Sequence, residues 1–381
     1  MNILIIPHSI WTGMRGRFDC FIDRLKSKNH LHVISWHMPY PISLNNIRNN
    51  FWKSRKEFKE EIETNVTVHH VSRPFVFPPF NRRSVNEQII EIIDEYDIDI
   101  IFSESFLWDF VPPFNKVPVI YDMVDDHLEF FKNAPLTKRI MSSLSRVKDS
   151  VMSQIKNSNH TIFVSSVLKD KYGEICQESS IIPNGVHLES FKRADPEKYI
   201  DSFGLDDYDW VVGYIGYFGE WSNLYKSAVN IQEFLEKNNG LLIIVGIGPE
   251  AEKLKKDFGD NERFLFTGMI DPREIPPLAK TFDIGLLPFK KCPYTDAASP
   301  IKYFEYAAAG SRVVSSPLEE IKRIKFKNTV FFDKIEDINM AMEIASDLDF
   351  NHSELENSLK KYDWDVLSLN LNKILKSMVF D

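Results

Sequence analysis

The sequence predicts a doubly wound α/β chain in two similar halves, and three observations predict it. Apolar runs such as Asn2 to Pro7 and Leu241 to Val245 show no alternation, the mark of parallel strands covered on both faces. Glycine-bearing loops, Trp11 to Arg17 and Gly246-Ile-Gly248-Pro249, separate such runs from helical patterns. The same strand–helix alternation restarts after Phe191. A length of 381 residues suits two domains with buried cores.

Taken in order, Asn2 to Pro7 leads through the first glycine loop into a helix with Phe18, Phe21, Ile22 and Leu25 on one side. Strands are expected at Leu31 to Trp36, Val66 to Val71, Ile98 to Ser103, Val117 to Tyr121 and His160 to Val164. Helices are expected near Val85 to Glu95 and over a long stretch from Pro135 to Asn157. In the second half, strands fall at Asp209 to Ile215, Leu241 to Val245, Phe264 to Thr267, Ile284 to Pro288 and Val313-Val314. Helices fall at Lys226 to Lys237, Glu250 to Phe258, Arg273 to Lys280 and Tyr303 to Ala309. Two Rossmann-like domains facing across a cleft follow, with ligands outside the strand C-termini and a hinge near Pro183 to Pro196.

Composition narrows the function classes. Hydrophobic residues at 43% and charged residues at 27% exclude wholesale disorder. A net charge of −9 offers no global field for nucleic acid. Cys20, Cys176 and Cys292 are too scattered for a disulfide framework or a paired zinc-ligand spacing. The opening MNILIIP lacks the charged and long apolar regions of a signal peptide, and no apolar run approaches about 20 residues. The expected location is the cytoplasm.

Ile182-Pro-Asn-Gly-Val186 followed by Phe191 resembles the interdomain signature of family 4 glycosyltransferases. Gly213-Tyr-Ile-Gly216, Val245-Gly-Ile-Gly-Pro-Glu250, Phe266-Thr-Gly268 and Asp283-Ile-Gly-Leu-Leu-Pro288 follow in that family's order. Ser299-Pro-Ile-Lys-Tyr-Phe-Glu-Tyr-Ala-Ala-Ala-Gly310, then Val313-Val314, is similar to the family's donor-nucleotide segment. Tyr362-Asp-Trp364 resembles the start of its last helix. The resemblance is dense from Ile182 to Ser316 and thin before it, and within the family it points to bacterial surface-polysaccharide enzymes of the teichuronic acid type. It implies the GT-B fold: an acceptor domain over residues 1–190, a donor domain over 191–358, and a helix over 359–381 returning to the first domain. It also implies transfer of a sugar from a nucleotide-diphosphate donor with retention of configuration and without a metal. A glycan or lipid-linked molecule would be the acceptor.

The physics of the donor segment agrees. Ser299 and Pro300 lead into a helix whose first turn, from Ile301, offers N–H groups to a diphosphate, and Lys302 adds a charge. Glu305 lies one turn on, flanked by Phe304 and Tyr306; the resemblance implies that it accepts the ribose hydroxyls, and a buried acid needs a partner. Asp296 stands beside Ala297, which occupies the position of the family's first glutamate. No cation follows Gly216 and Tyr217 until Lys226, so Arg15, Gly16 and Arg17 of the first glycine loop are expected to meet phosphate charge. Gly246 and Gly248 are read as close-approach positions for the donor, with ordinary turn glycines as the alternative.

On the acceptor side, Asp122, Asp125 and Asp126 end an apolar strand, and three neighbouring acids would raise at least one pKa toward general-base use. A helix N-cap explains Asp125 and Asp126 equally well. His127 beside them reads as a structural or substrate-touching residue. Residues 130–156 carry Lys132, Lys138, Arg139, Arg146, Lys148 and Lys156 against Glu-free surroundings save Asp149, with Phe130, Phe131, Ile140, Leu144 and Val147 beside them. That pattern suggests peripheral contact with anionic lipid at the inner face of the plasma membrane. A nucleotide-sugar 2-epimerase of the same fold and a non-catalytic nucleotide- or glycan-binding protein remain alternative readings.

Overall fold

The structure, a computed structural model, describes residues 1–7, 16–37, 59–72, 82–105, 112–113, 115–132, 139–140, 142–143 and 146–380. The chain divides into two compact units, Met1–Ile182 with Ser368–Asp381, and Pro183–Leu367. The division falls at residue 182, where the sequence suggested 190, because Val186, Leu188 and Phe191 pack into the second core.

The first unit holds strands β1 (Asn2–Ile6), β2 (His30–His37), β3 (Lys59–Glu63), β4 (Val66–Ser72), β5 (Ile100–Ser103), β6 (Val119–Met123), β7 (His160–Phe163) and β8 (Ser179–Ile181). Their order is β3-β4-β2-β1-β5-β6-β7-β8, parallel except for β3 against β4. β3 escaped the sequence reading because its acidic run, Lys59 to Glu63, carries little apolar signal. Ile3 to Ile6 are buried, as the unbroken apolar run required.

The second unit holds β9 (Trp210–Ile215), β10 (Gly240–Val245), β11 (Phe264–Gly268), β12 (Ile284–Leu287), β13 (Arg312–Ser315) and β14 (Thr329–Phe331). The order β11-β10-β9-β12-β13-β14, all parallel, is the Rossmann arrangement with its switch point between β9 and β12. Both faces are covered. Val211, Leu241 and Ile243 pack with Tyr303, Phe304 and Tyr306, whereas Val212, Leu242 and Ile244 pack with Phe234, Ile338 and Met342.

Two helices differ from expectation. The stretch 226–237 is two helices, Leu224–Asn230 and Gln232–Lys237. The long helix expected over 135–157 is described in pieces: residues 139–140 and 142–143 are helical, Arg146 takes a left-handed φ of 50°, and a helix runs Val147–Asn157. Residues 133–138, 141 and 144–145 lie outside the described residues.

Candidate functional site

The helix Ile301–Ala309 begins beside the switch point of the second sheet. Its N-cap, Pro300, is extended and no side chain caps the first turn, which leaves the positive end of the helix open to an anion. Sequence chemistry dictates where this helix lies. Gly285 on β12 has no side chain, and a Cβ there would overlap the Tyr306 ring. Tyr306 thus packs flat on the sheet, and its hydroxyl oxygen accepts the Ile215 N–H at 2.9 Å. Ser299 fixes the entry: its hydroxyl accepts the Asn184 N–H at 3.2 Å and its carbonyl accepts from Asn184 Nδ2 at 2.6 Å.

Lys302 and Glu305, three positions apart, share one side of this helix and are partly buried. The Lys302 Nζ lies 4.7 Å from the Tyr214 ring, 4.8 Å from Phe289 and 5.9 Å from Trp221. It also occupies the space above Gly216, whose φ of 139° favours glycine. Burial pushes the Lys302 amine down to about 7, with Glu305 pulling it back up. Burial likewise pushes Glu305 up to about 7, opposed by Lys302. Among the described residues, neither side chain makes a hydrogen bond or an ion pair. An acid and an amine drawn partly out of water with no hydrogen-bond partner for their polar atoms destabilise the free protein; a ligand offering an anion and hydroxyls would satisfy both.

The other expected donor residues divide. Gly246 and Gly248 serve packing: a Cβ on Gly246 would strike the Gly216 carbonyl, and one on Gly248 the Phe218 backbone. Hydrogen bonds then join these loops, Gly216 N to Val245 O and Phe218 N to Ile247 O, each 2.9 Å. The turn-glycine alternative accounts for both residues. Tyr217 is exposed, and its carbonyl accepts from the Tyr214 hydroxyl at 3.2 Å. Asp296 accepts from Lys291 Nζ at 2.7 Å and from the Glu319 N–H at 3.1 Å, so it holds a loop together. Ala297 is buried. The aromatic cage of Lys302 was not foreseen: Tyr214, Trp221 and Phe289 come from separate strands and loops, and no spacing rule links them.

The first unit corrects several expectations. Arg15 lies outside the described residues. Gly16 is the N-cap of the helix Arg17–Leu25, its N–H donating to Asp19 Oδ2 at 2.9 Å. Arg17 and Asp122, expected as phosphate cation and acceptor-side acid, bind each other. Arg17 Nε donates to Asp122 Oδ2 at 2.8 Å, Nη2 to Oδ1 at 3.0 Å, and Nη2 also to the Ile182 carbonyl at 2.8 Å. Both are buried. The Asp122 carboxyl is shifted up by burial, against the pull of Arg17, with Glu104 as the acid adding to the rise. Asp126 is the N-cap of the helix His127–Lys132, accepting the Glu129 N–H at 3.1 Å, and it also accepts from Lys171 Nζ at 2.7 Å and the Tyr172 hydroxyl at 3.1 Å. Asp125 is partly buried and its carbonyl accepts the His127 N–H; His127 is buried. Of the apolar residues read as membrane-facing, Val147 is buried, Phe130 and Phe131 are partly buried and Ile140 is exposed, whereas Leu144 lies outside the described residues. Among the described residues, no helix is long and apolar enough to cross a membrane.

With the geometry in place, comparison with known proteins is informative. Residues 210–345 match the family described as Glycosyl transferases group 1. TuaH of Bacillus subtilis, named as a glycosyltransferase of teichuronic acid biosynthesis, is 35% identical over 82 residues, 21% of this chain and 21% of TuaH. The chain thus aligns with about a fifth of that relative's length. In fold, it is similar to sucrose-phosphate synthase from Thermosynechococcus elongatus, with a TM-score of 0.73 at 13% identity over 99% of this chain and 98% of the other. HepE from Anabaena, solved in complex with UDP, gives a TM-score of 0.65 at 14% identity over 99% of this chain and 100% of the other. Residues 210–345 thus resemble group 1 glycosyltransferases, and the chain as a whole, with its two Rossmann-like units, has the GT-B fold.

Proposed function

We propose that the protein transfers a sugar from a nucleotide-diphosphate donor to a glycan or lipid-linked acceptor during synthesis of a surface polysaccharide. The observation that carries this reading is the pair Lys302 and Glu305, whose side chains make no hydrogen bond among the described residues, in the first turns of the uncapped helix Ile301–Ala309. The diphosphate rests on the first-turn N–H groups and on Lys302, which stabilise the charge that grows on the leaving group. Glu305, ionised, accepts the ribose hydroxyls. The family match over residues 210–345 and the UDP bound by HepE support a nucleotide donor.

Helix end and amine supply the positive charge, so the reaction runs without a metal. Transfer retains the anomeric configuration, with the leaving phosphate taking the acceptor proton. A basic contact of residues 130–156 with anionic lipid brings the acceptor within reach; flotation with anionic liposomes should show binding that falls as salt rises.

A thermal-shift screen across UDP, GDP, ADP and TDP sugars should single out one nucleotide that raises the melting temperature. Glu305→Ala should then weaken that nucleotide by about tenfold or more, about 1.4 kcal/mol. Release of nucleoside diphosphate should require acceptor. Release of epimerised nucleotide sugar without acceptor would identify an isomerase, and binding without turnover a non-catalytic protein; unchanged affinity in Glu305→Ala would remove that residue from the site.

A further inference from the structure

Lys302 is the one positive side chain on the helix Ile301–Ala309, and the loop after β9 adds no cation before Lys226. In place of a cation that loop carries an indole, Trp221. Two hydrogen bonds fix its main chain: the Ser222 N–H donates to the Gly219 carbonyl at 2.8 Å, and the Lys290 N–H donates to the Trp221 carbonyl at 2.9 Å. The second bond ties the loop to the segment after β12, where Phe289 meets the indole edge-on, with ring centroids 4.7 Å apart at 85°.

The rings around Lys302 Nζ differ in what they can do to it. Tyr214 and Phe289 are buried and lie 4.7 and 4.8 Å from Nζ, where ring faces favour the charged amine. Trp221, at 5.9 Å, is the partly exposed member of the three and so forms the outer wall of the cage. The ionisable groups acting on the amine are Glu305 on the same helix and the Tyr214 phenol, which burial pushes up and keeps neutral. Glu220 and Lys290, next to Trp221 and Phe289 in sequence, are exposed. An ammonium group already shed of water and held in one place loses less on meeting a phosphate than a hydrated, mobile one.

We propose that Trp221 and Phe289 are positioning residues for donor binding with opposite effects on Lys302: Phe289, with Tyr214, holds the ammonium through its ring face, and Trp221 keeps water from it. The proposal rests on the nucleotide-diphosphate reading above and adds to it what sets the charge of the phosphate-binding amine.

NMR titration of the full chain, isotopically labelled at lysine Cε, follows each amine, and the resonance missing in Lys302→Gln is that of Lys302. In the wild type its midpoint should fall near 7. Trp221→Ala admits water and should raise the midpoint by about one pH unit or more. Phe289→Leu keeps apolar bulk but removes the ring face, and should lower the midpoint by about half a pH unit to one. Trp221→Phe should restore wild-type behaviour. Isothermal titration with UDP, GDP, ADP and TDP over the same pH range reads the consequence. For the nucleotide that binds, the alkaline fall in affinity should move in each variant in the direction of the midpoint; rings that only fill space would weaken binding equally at every pH.

An ordinary lysine midpoint in the wild type would overturn the inference. So would midpoints that stay put, midpoints that both variants move the same way, or an alkaline limb that does not follow them. If the midpoints divide as stated and none of the four nucleotides binds, the control of Lys302 by these rings stands and the nucleotide reading loses its support. If a nucleotide binds and Glu305→Ala weakens it while the midpoints stay put, the nucleotide reading stands and this inference falls.

Discussion

At Lys302 two demands oppose each other: burial favours the neutral amine, whereas the ring faces around it and a bound diphosphate favour the charged form. With its value lowered to about 7, the amine loses its proton as pH rises beyond neutrality, and nucleotide affinity should fall. Glu305, raised to about 7, gains a proton as pH falls below neutrality and can no longer accept two hydroxyls, so affinity falls there too. Affinity plotted against pH should therefore peak near neutrality, and Lys302→Gln should remove the alkaline limb. Stability should run the other way. Between the ordinary Glu value of 4.5 and about 7 the folded state holds the extra proton on Glu305, so stability falls with rising pH; between about 7 and 10.5 the unfolded state holds it on lysine, so stability rises. Lys302→Met fills the cage without charge. At neutral pH it should gain on the order of 1 kcal/mol, about 2–4 °C in Tm, while losing nucleotide affinity.

Helix Ile301–Ala309 does its work only if its open end stays where the sheet puts it. Tyr306 is the fastening, lying on Gly285 and accepting the Ile215 N–H. Tyr306→Phe leaves a buried N–H unpaired and should cost about 1–3 kcal/mol in denaturant unfolding. Gly285→Ala forces the ring off the sheet and should cost about 1–3 kcal/mol as well. It should also weaken nucleotide binding, although no atom of Gly285 belongs to the helix end. In the first unit, Arg17 joins the helix Arg17–Leu25 to β6 and to the Ile182 carbonyl. Arg17→Ala strands a buried carboxylate and should cost about 3–5 kcal/mol. Nucleotide affinity should not change, since Lys302 and Glu305 of the proposed donor site lie in the second unit.

Over the whole molecule, the chain forms two compact units, and the second buries an apolar layer on both faces of its sheet. A single cooperative transition is therefore not expected. Differential scanning calorimetry should resolve two transitions, with the bound nucleotide raising the one that Lys302→Met also moves, and Arg17→Ala lowering the other. One merged transition shifted equally by all three perturbations would argue against separate units.

Much of this was legible beforehand because period and punctuation are local properties. Unmixed apolar runs at Asn2 to Pro7 and Leu241 to Val245 required strands covered on both faces, and the segment from Ser299 to Gly310 carried the donor helix in its own order of residues. Other features depend on which side chains meet, and adjacency in sequence does not encode that. Arg17 and Asp122 both looked available until the fold brought residues 105 positions apart within 2.8 Å. Asp126 proved a cap because a helix starts directly after it, and Gly246 and Gly248 proved to be packing glycines because the loop at Gly216 lies against them. The sequence by itself determined the strands with unbroken apolar runs, the alternation and the chemical types along the helix from Ile301. Only the tertiary structure decided which charges are paired inside the protein and which, like those of Lys302 and Glu305, make no hydrogen bond among the described residues, since pairing energies arise from distances that long-range folding alone creates.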